Sequence, residues 1–140
     1  GMEAIMPAHV IYDHIDPKLA GFSKYWLQDV LRKQLNFQGV IFSDDLTMAA
    51  AEEAGGYAQR AHAALNAGCD MVLVCNNSAG ASEVLEALGD YNNPAAQMRL
   101  IRMHGRKAQH REVLHMDPRW REAVELIALY EESPSLNLDL

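Results

Sequence analysis

The chain has 140 residues, 49% of them apolar and 22% charged, with a formal net charge of -7. That composition argues against a disordered chain, and its acidic balance argues against a general nucleic-acid or anionic-membrane binder; no apolar run approaches the ~18 residues of a membrane span, and no basic-then-apolar stretch marks a secretory signal. A domain of this size buries one real core, whereas a closed eightfold β/α barrel needs at least ~200 residues, so the chain cannot close one by itself.

In chain order, Glu3 to Val10 reads as a strand whose regular pairing stops near Pro7, which has no N–H to donate. His14-Ile15-Asp16-Pro17 reads as a loop. Ser23 then caps a predicted helix that carries Trp26, Leu27, Val30, Leu31 and Leu35 on one stripe. Asn36 to Gly39 is its stop. Val40-Ile41-Phe42-Ser43 is a second strand, apolar on both faces as a strand covered on both sides is. It ends in Asp44-Asp45. A helix is predicted from Tyr57 to Ala67, closed by Gly68. Met71 to Cys75 is a third strand, followed by a loop of Asn76, Asn77, Ser78 and Gly80. Ala81, Val84, Leu85 and Leu88 mark a third helix. Strand, loop and helix thus recur three times at ~35-residue spacing, which predicts right-handed βαβ units and a parallel sheet. The pattern does not separate an open doubly wound sheet from part of a closed barrel.

The last third carries helices only. Asn93-Pro94 and Asp117-Pro118 each set an N-cap before a proline at the first helical position. The first of these helices is predicted to run to about His104. The second places Trp120, Ala123, Val124, Ile127 and Tyr130 on one face, and the tail from Ser133 is expected to fray. Seven of the twelve basic residues lie between Arg99 and Arg121. Glu112 and Asp117 interrupt that run, so it reads as a solvated helical face. His104, His110 and His115 do not share a helical face, and no Cys or His spacing suggests zinc. Cys69 and Cys75 are both expected to be buried free thiols in a reducing compartment.

Polar residues collect where the strands end: His9 after the first, Asp44 and Asp45 after the second, Asn76 and Asn77 after the third. Ligands of parallel α/β sheets bind beyond the carboxyl ends of the strands. A carboxylate after an apolar strand is hydrogen-bonded or serves a function. One of the Asp pair is expected to cap the next helix, starting at Leu46-Thr47-Met48-Ala49. The other is left as a nucleophile, a general base or a metal ligand. His9 taken alone reads first as a histidine satisfied by a backbone partner.

Four blocks occur in order: Met6-Pro7-Ala8-His9-Val10-Ile11-Tyr12; Ala20-Gly21-Phe22-Ser23 leading into Tyr25-Trp26-Leu27; Gly39-Val40-Ile41-Phe42-Ser43-Asp44-Asp45-Leu46-Thr47-Met48; and Ala67-Gly68-Cys69-Asp70-Met71-Val72-Leu73-Val74-Cys75-Asn76-Asn77. Together they resemble the bacterial β-N-acetylhexosaminidases of glycoside hydrolase family 3, cytoplasmic enzymes of cell-wall recycling. The resemblance covers residues 3 to 130.

It implies an α/β fold, here a partial (β/α) barrel made of the last three βα units over residues 2–91. A helical C-terminal extension, residues 92–140, would pack on it. It further implies that Asp44 is the nucleophile of a retaining glycosidase, forming a covalent glycosyl-enzyme that water hydrolyses. Asp45 is then its structural partner, and His9 and Asn76 orient the site or touch the substrate. The implied substrate is a muropeptide fragment with a non-reducing GlcNAc, and no metal or cofactor takes part.

One departure matters. The family's general acid/base is a histidine on a mobile loop in the first half of the barrel, with the sugar-binding Arg and Lys-His residues. Neither His9 nor His14 matches that loop. The chain is therefore expected to hold part of an active site and to be inactive alone. The alternative is a non-catalytic α/β binding module or a truncated gene product. Three strands of a barrel would leave open sheet edges and an uncovered face, so self-association is expected.

Overall fold

The computed structural model describes residues 2–105 and 110–132. The tail from Ser133 lies outside the described residues. The chain forms two compact units, Gly1–His104 and Gly105–Leu140.

In the first unit, β1 (Ala4–Ile5) is followed by β2 (Ile11–Tyr12), β3 (Asp16–Leu19) and a π-wound helix (Tyr25–Gln34). Next come β4 (Val40–Asp45), a short 3-10 helix (Ala49–Ala54), α1 (Tyr57–Ala67), β5 (Met71–Leu73), α2 (Ser78–Ala87) and α3 (Pro94–Ile101). β1, β4 and β5 make one parallel sheet in that order, with β4 in the middle. The parallel α/β sheet expected from the three-fold alternation is therefore present.

The core follows from the apolar pattern. Leu27 of the π-wound helix and Ile41 of β4 meet Ala64, Ala67 and Cys69 in one buried cluster. Leu46, Ala61 and Val84 form a second. The alanines of α1 let that helix approach the sheet closely, and Ala61 and Ala64 are fully buried. Gly68 ends α1 at φ 129°, a conformation that favours glycine, and its N–H bonds the carbonyls of Ala64 and Leu65.

Several local expectations differ from the outcome. The first strand pairs over Ala4–Ile5 alone, because the ladder stops ahead of Pro7. The segment read as a loop at Asp16-Pro17 instead pairs as β3 with β2, antiparallel, with Ile11 opposite Leu19 and Tyr12 opposite Asp16. Ser23 does cap its helix: Oγ accepts the Trp26 N–H at 3.2 Å, and its hydroxyl also donates to Asp16. That helix is wound wider than an α-helix, as the bond from Leu35 N–H to the Val30 carbonyl shows. Each turn takes more than 3.6 residues, and Leu35 leaves the buried stripe for solvent. Asn77, read as loop, is the N-cap of α2, its Oδ1 accepting the Gly80 N–H at 2.8 Å. Leu85, expected on the packing face of α2, is exposed.

The cysteines split. Cys69 is buried in the core, where burial first, and then the adjacent Asp70 charge, pushes its thiol up to about 12. Cys75 is exposed, which corrects the expectation that both are buried. β5 stops at Leu73, two residues short of its expected end, so Cys75 lies past the strand.

Asp70 anchors the amino end of β5. Its side chain, 2% exposed, takes Arg32 on Oδ2 and Arg99 on Oδ1, each at 2.7 Å. Oδ2 also accepts the Ile41 N–H at 2.9 Å. Asp70→Ala leaves the Arg99 guanidinium and the Ile41 amide without their acceptor, and Arg32 with only the Phe37 and Gly39 carbonyls. Such removal costs about 3–5 kcal/mol, and the expected readout is a correspondingly lower urea midpoint. A midpoint matching the parent would mean that water replaces the carboxylate.

In the second unit, α4 (Arg111–Met116) precedes α5 (Pro118–Glu132). Asp117 Oδ1 accepts the Arg119 N–H at 2.9 Å, as the Asp-Pro start predicts. The His115 and Trp120 rings stack with centroids 5.3 Å apart. α4 is a helix that the hydrophobic pattern did not announce.

Candidate active site

The carboxyl end of β4 is built around an irregularity. Phe42 pairs with Met71 and Asp45 pairs with Leu73. Three steps along β4 therefore match two along β5, and the extra residue makes a bulge. Ser43 and Asp44 lie within it. The Leu73 N–H donates to Ser43 Oγ at 3.0 Å, and the Leu73 carbonyl accepts the Leu46 N–H at 2.9 Å.

Asp44 is half-buried. Its Oδ1 accepts the Asp45 N–H at 2.9 Å, and no donor among the described residues reaches Oδ2. The carboxylate is thus oriented through one oxygen and open at the other.

Asp45 is used differently. Oδ1 accepts the N–H groups of Thr47, at 2.9 Å, and Cys75, at 3.0 Å. Oδ2 accepts the Thr47 hydroxyl at 2.6 Å. Burial disfavours its charge, but the hydrogen bonds from Thr47 and Cys75 outweigh burial and hold the carboxyl below its ordinary range. Asp45 therefore ties the end of β4 to the end of β5. It does not cap the following helix, which starts after Met48 with no side-chain cap. The reason is positional: the chain turns at Leu46 and Thr47, and the helix starts at Ala49 with Met48 at its N-cap, three residues past Asp45.

His9 and Asp45 are brought together. The His9 Nε2 lies 3.1 Å from the Asp45 carbonyl. A carbonyl only accepts, so Nε2 carries the proton. Nδ1 is buried without a partner among the described residues, and the ring lies tilted 5.4 Å from Phe22. His9 thus has the backbone partner that its position first suggested.

Asn76 sits just past β5, exposed, at φ 54°. Asparagine tolerates this left-handed turn better than most residues. No hydrogen bond joins its side chain to the other three among the described residues. Asn77 is drawn away from the rim, since Nδ2 donates to the Tyr57 hydroxyl at 2.9 Å while Oδ1 caps α2. Cys75 is exposed beside the carboxylates; lost hydration first, then Asp45 and Asp44, push its thiol up. That disfavours the thiolate a nucleophilic cysteine needs.

Ser43 and Thr47 also hold the site together, although neither stands out in the sequence as a site residue. The Asp45-Leu46-Thr47 run carries a signal for the Asx turn, an Asp two residues before a hydroxyl. Nothing local announces the Ser43 contact, because its partner lies thirty residues away. No group of three or more His, Cys, Asp or Glu among the described residues could hold a metal ion.

Because hydrogen bonding lowers the Asp45 carboxyl, the latch makes stability depend on pH. The folded carboxyl titrates lower than the unfolded one, whose ordinary value is about 3.9. Its contribution is fully present above that value and is lost as pH falls through the lower folded value. Asp45→Asn should therefore lower the urea midpoint at pH 7 and flatten its fall below about pH 4. Parallel profiles for parent and variant would exclude the latch.

Residues 1–103 match the family described as Glycosyl hydrolase family 3 N terminal domain. A Beta-hexosaminidase of Thioalkalivibrio sulfidiphilus is 52% identical over 140 residues, covering 100% of this chain and 40% of that protein. One of Shewanella frigidimarina is 49% identical over 130 residues, covering 91% and 37%. Native NagZ from Neisseria gonorrhoeae matches with a TM-score of 0.75 at 41% identity, over 91% of this chain and 37% of that one. NagZ from the same organism in complex with N-trifluoroacetyl-D-glucosamine matches at 0.71 and 38% identity, over 91% and 36%. This chain therefore spans about 40% of the length of the first of these relatives.

Proposed function

The chain belongs to the glycosyl hydrolase family 3 N-terminal domain family, and from that membership we propose that it carries the nucleophile of a retaining β-N-acetylglucosaminidase. Asp44 attacks the anomeric carbon and forms an acylal ester as the glycosidic C–O bond breaks. A general acid outside these residues protonates the departing oxygen. Water then attacks the same carbon, releases the sugar and frees the carboxylate, with net retention. The observation that carries this reading is the Asp44 carboxylate itself, at the carboxyl end of the central strand, with Oδ1 held by the Asp45 N–H and no described donor on Oδ2.

Asp45 and His9 orient the rim, and Asn76 offers an exposed amide to the sugar. In this proposal residues 2–91 are the last three βα units of a β/α barrel, and residues 92–140 are a helical extension. The substrate is a muropeptide fragment with a non-reducing GlcNAc, and the setting is peptidoglycan recycling in the cytoplasm. The amino-sugar part of the proposal is supported by the NagZ complex with N-trifluoroacetyl-D-glucosamine. No helix of the described residues is long and apolar enough to cross a membrane.

The test is a chimera in which this chain replaces the matching 140 residues of the Thioalkalivibrio sulfidiphilus relative. It should release p-nitrophenol from p-nitrophenyl N-acetyl-β-D-glucosaminide. A folded chimera without release would sink the reading.

Self-association belongs to the same proposal. β1 and β5 each pair on one side only within the described sheet. Beside β1 lies an apolar groove lined by Ile5, Pro7, Val10, Trp26, Val30 and Leu31. Open edges and apolar surface recruit other chains. Light scattering at micromolar concentration should read a mass above the monomer, and a monodisperse monomer would count against it.

A further inference from the structure

We infer that Ser43 is a positioning residue for Asp44: its hydroxyl holds the β4 bulge that sets the carboxylate at the strand end. This rests on the reading of Asp44 as the nucleophile. An unbroken parallel ladder from Phe42 and Met71 would place Asp44 opposite Leu73. In the structure Asp45 takes that place, and Asp44 has no partner residue in β5. At the bulge the Leu73 N–H reaches a side chain of β4, the Ser43 hydroxyl. A partly buried donor gains stability from an acceptor held in place. Ser43 Oγ supplies the acceptor at 3.0 Å.

The local geometry leaves few substitutes. Ser43 is fully buried, so the side chain is small, and it must also accept a hydrogen bond. On the other side of Asp44, the Leu46 N–H bonds the Leu73 carbonyl. Leu73 is therefore gripped both before and after Asp44, and the segment between the two bonds is fixed. Without the hydroxyl, the bulge loses its side-chain tie to Leu73, and β4 is free to slip back toward the regular ladder. A one-residue slip turns each side chain to the opposite face of the sheet. Asp44 would then lose both its aim and the Asp45 N–H on Oδ1.

The experiment has two arms. In the 140-residue chain, amide exchange by NMR should show Leu73 and Asp45 exchanging at least about tenfold faster in Ser43→Ala, with the Ile41 amide unchanged. In the chimera, Ser43→Ala should lower kcat about 10- to 100-fold with KM nearly unchanged, measured below the melting transition. A small misplacement of a reacting group has an effect of that order. Ser43→Thr, which keeps the acceptor, should recover most of the loss. If Asp44→Ala abolishes turnover while Ser43→Ala stays within twofold of the parent chimera, this inference falls and the nucleophile reading stands. Unchanged Leu73 exchange in Ser43→Ala also overturns it. If Asp44→Ala leaves the chimera active, the nucleophile reading falls and takes this inference with it.

Discussion

Assayed alone, the 140-residue polypeptide should release no GlcNAc above background from a chromogenic N-acetylglucosaminide. In the proposed function Asp44 supplies one of the two roles a retaining glycosidase needs. Without a general acid the departing sugar oxygen leaves unprotonated, and loss of acid–base help costs about 10²–10⁴-fold. In the same proposal the groups that grip the sugar ring belong to the first half of the barrel as well. Well-oriented groups account for up to about 7–11 kcal/mol of a barrier, so their absence removes much of the remaining acceleration. Association does not repair this, because a second copy brings the same strands. The two histidines nearest the sheet in sequence are poorly suited to stand in. His9 already donates through Nε2 to the Asp45 carbonyl, and His14 is exposed in the turn between β2 and β3. Release above a matched Asp44→Ala control would overturn the prediction and would make one of these histidines the proton donor.

In the chimera with the Thioalkalivibrio sulfidiphilus relative, Asp44→Ala should abolish turnover, a loss on the order of 10⁴-fold or more for a residue in a catalytic unit. The covalent step has no substitute nucleophile. Asp45 is adjacent, but both its oxygens are engaged by Thr47 and Cys75. The fold should survive the substitution, since Asp44 is half-buried and holds one backbone N–H. Asp45→Ala should behave in the opposite sense. It removes the hydrogen bonds to Thr47 and to the exposed Cys75 amide and should cost roughly 0.5–1.5 kcal/mol of stability. Its effect on turnover should be the smaller of the two. An essential Asp45 beside a dispensable Asp44 would reverse the assignment.

Much of what near neighbours in the chain set was legible in the sequence, with the Asn77 cap, the Asp45 turn and helix α4 as exceptions. Helix α1 is found at its predicted bounds, Tyr57 to Ala67, because an amphipathic run and a terminal glycine are local signals. The caps at Ser23, Asn93 and Asp117 likewise need only the next few residues. The apolar run of β4, the parallel sheet and the placing of Asp44 and Asp45 at a strand end follow from the same short-range pattern. Family membership was readable too, in the blocks around Asp44 and Cys69.

Tertiary structure decided whatever depends on a distant partner. Which carboxylate stays open rests on the Cys75 N–H, thirty residues from Asp45. The bulge rests on a bond from Leu73 to Ser43, and the buried charge of Asp70 rests on Arg32 and Arg99. β3 looked like a loop until β2 folded back to pair with it. Cys75 closes an apolar run that begins at Met71, yet it is exposed because β5 ends two residues before it. Periodicity reports which face of an element is apolar. Where a hydrogen bond lands is set by what the folded chain brings alongside, and that is absent from any local window.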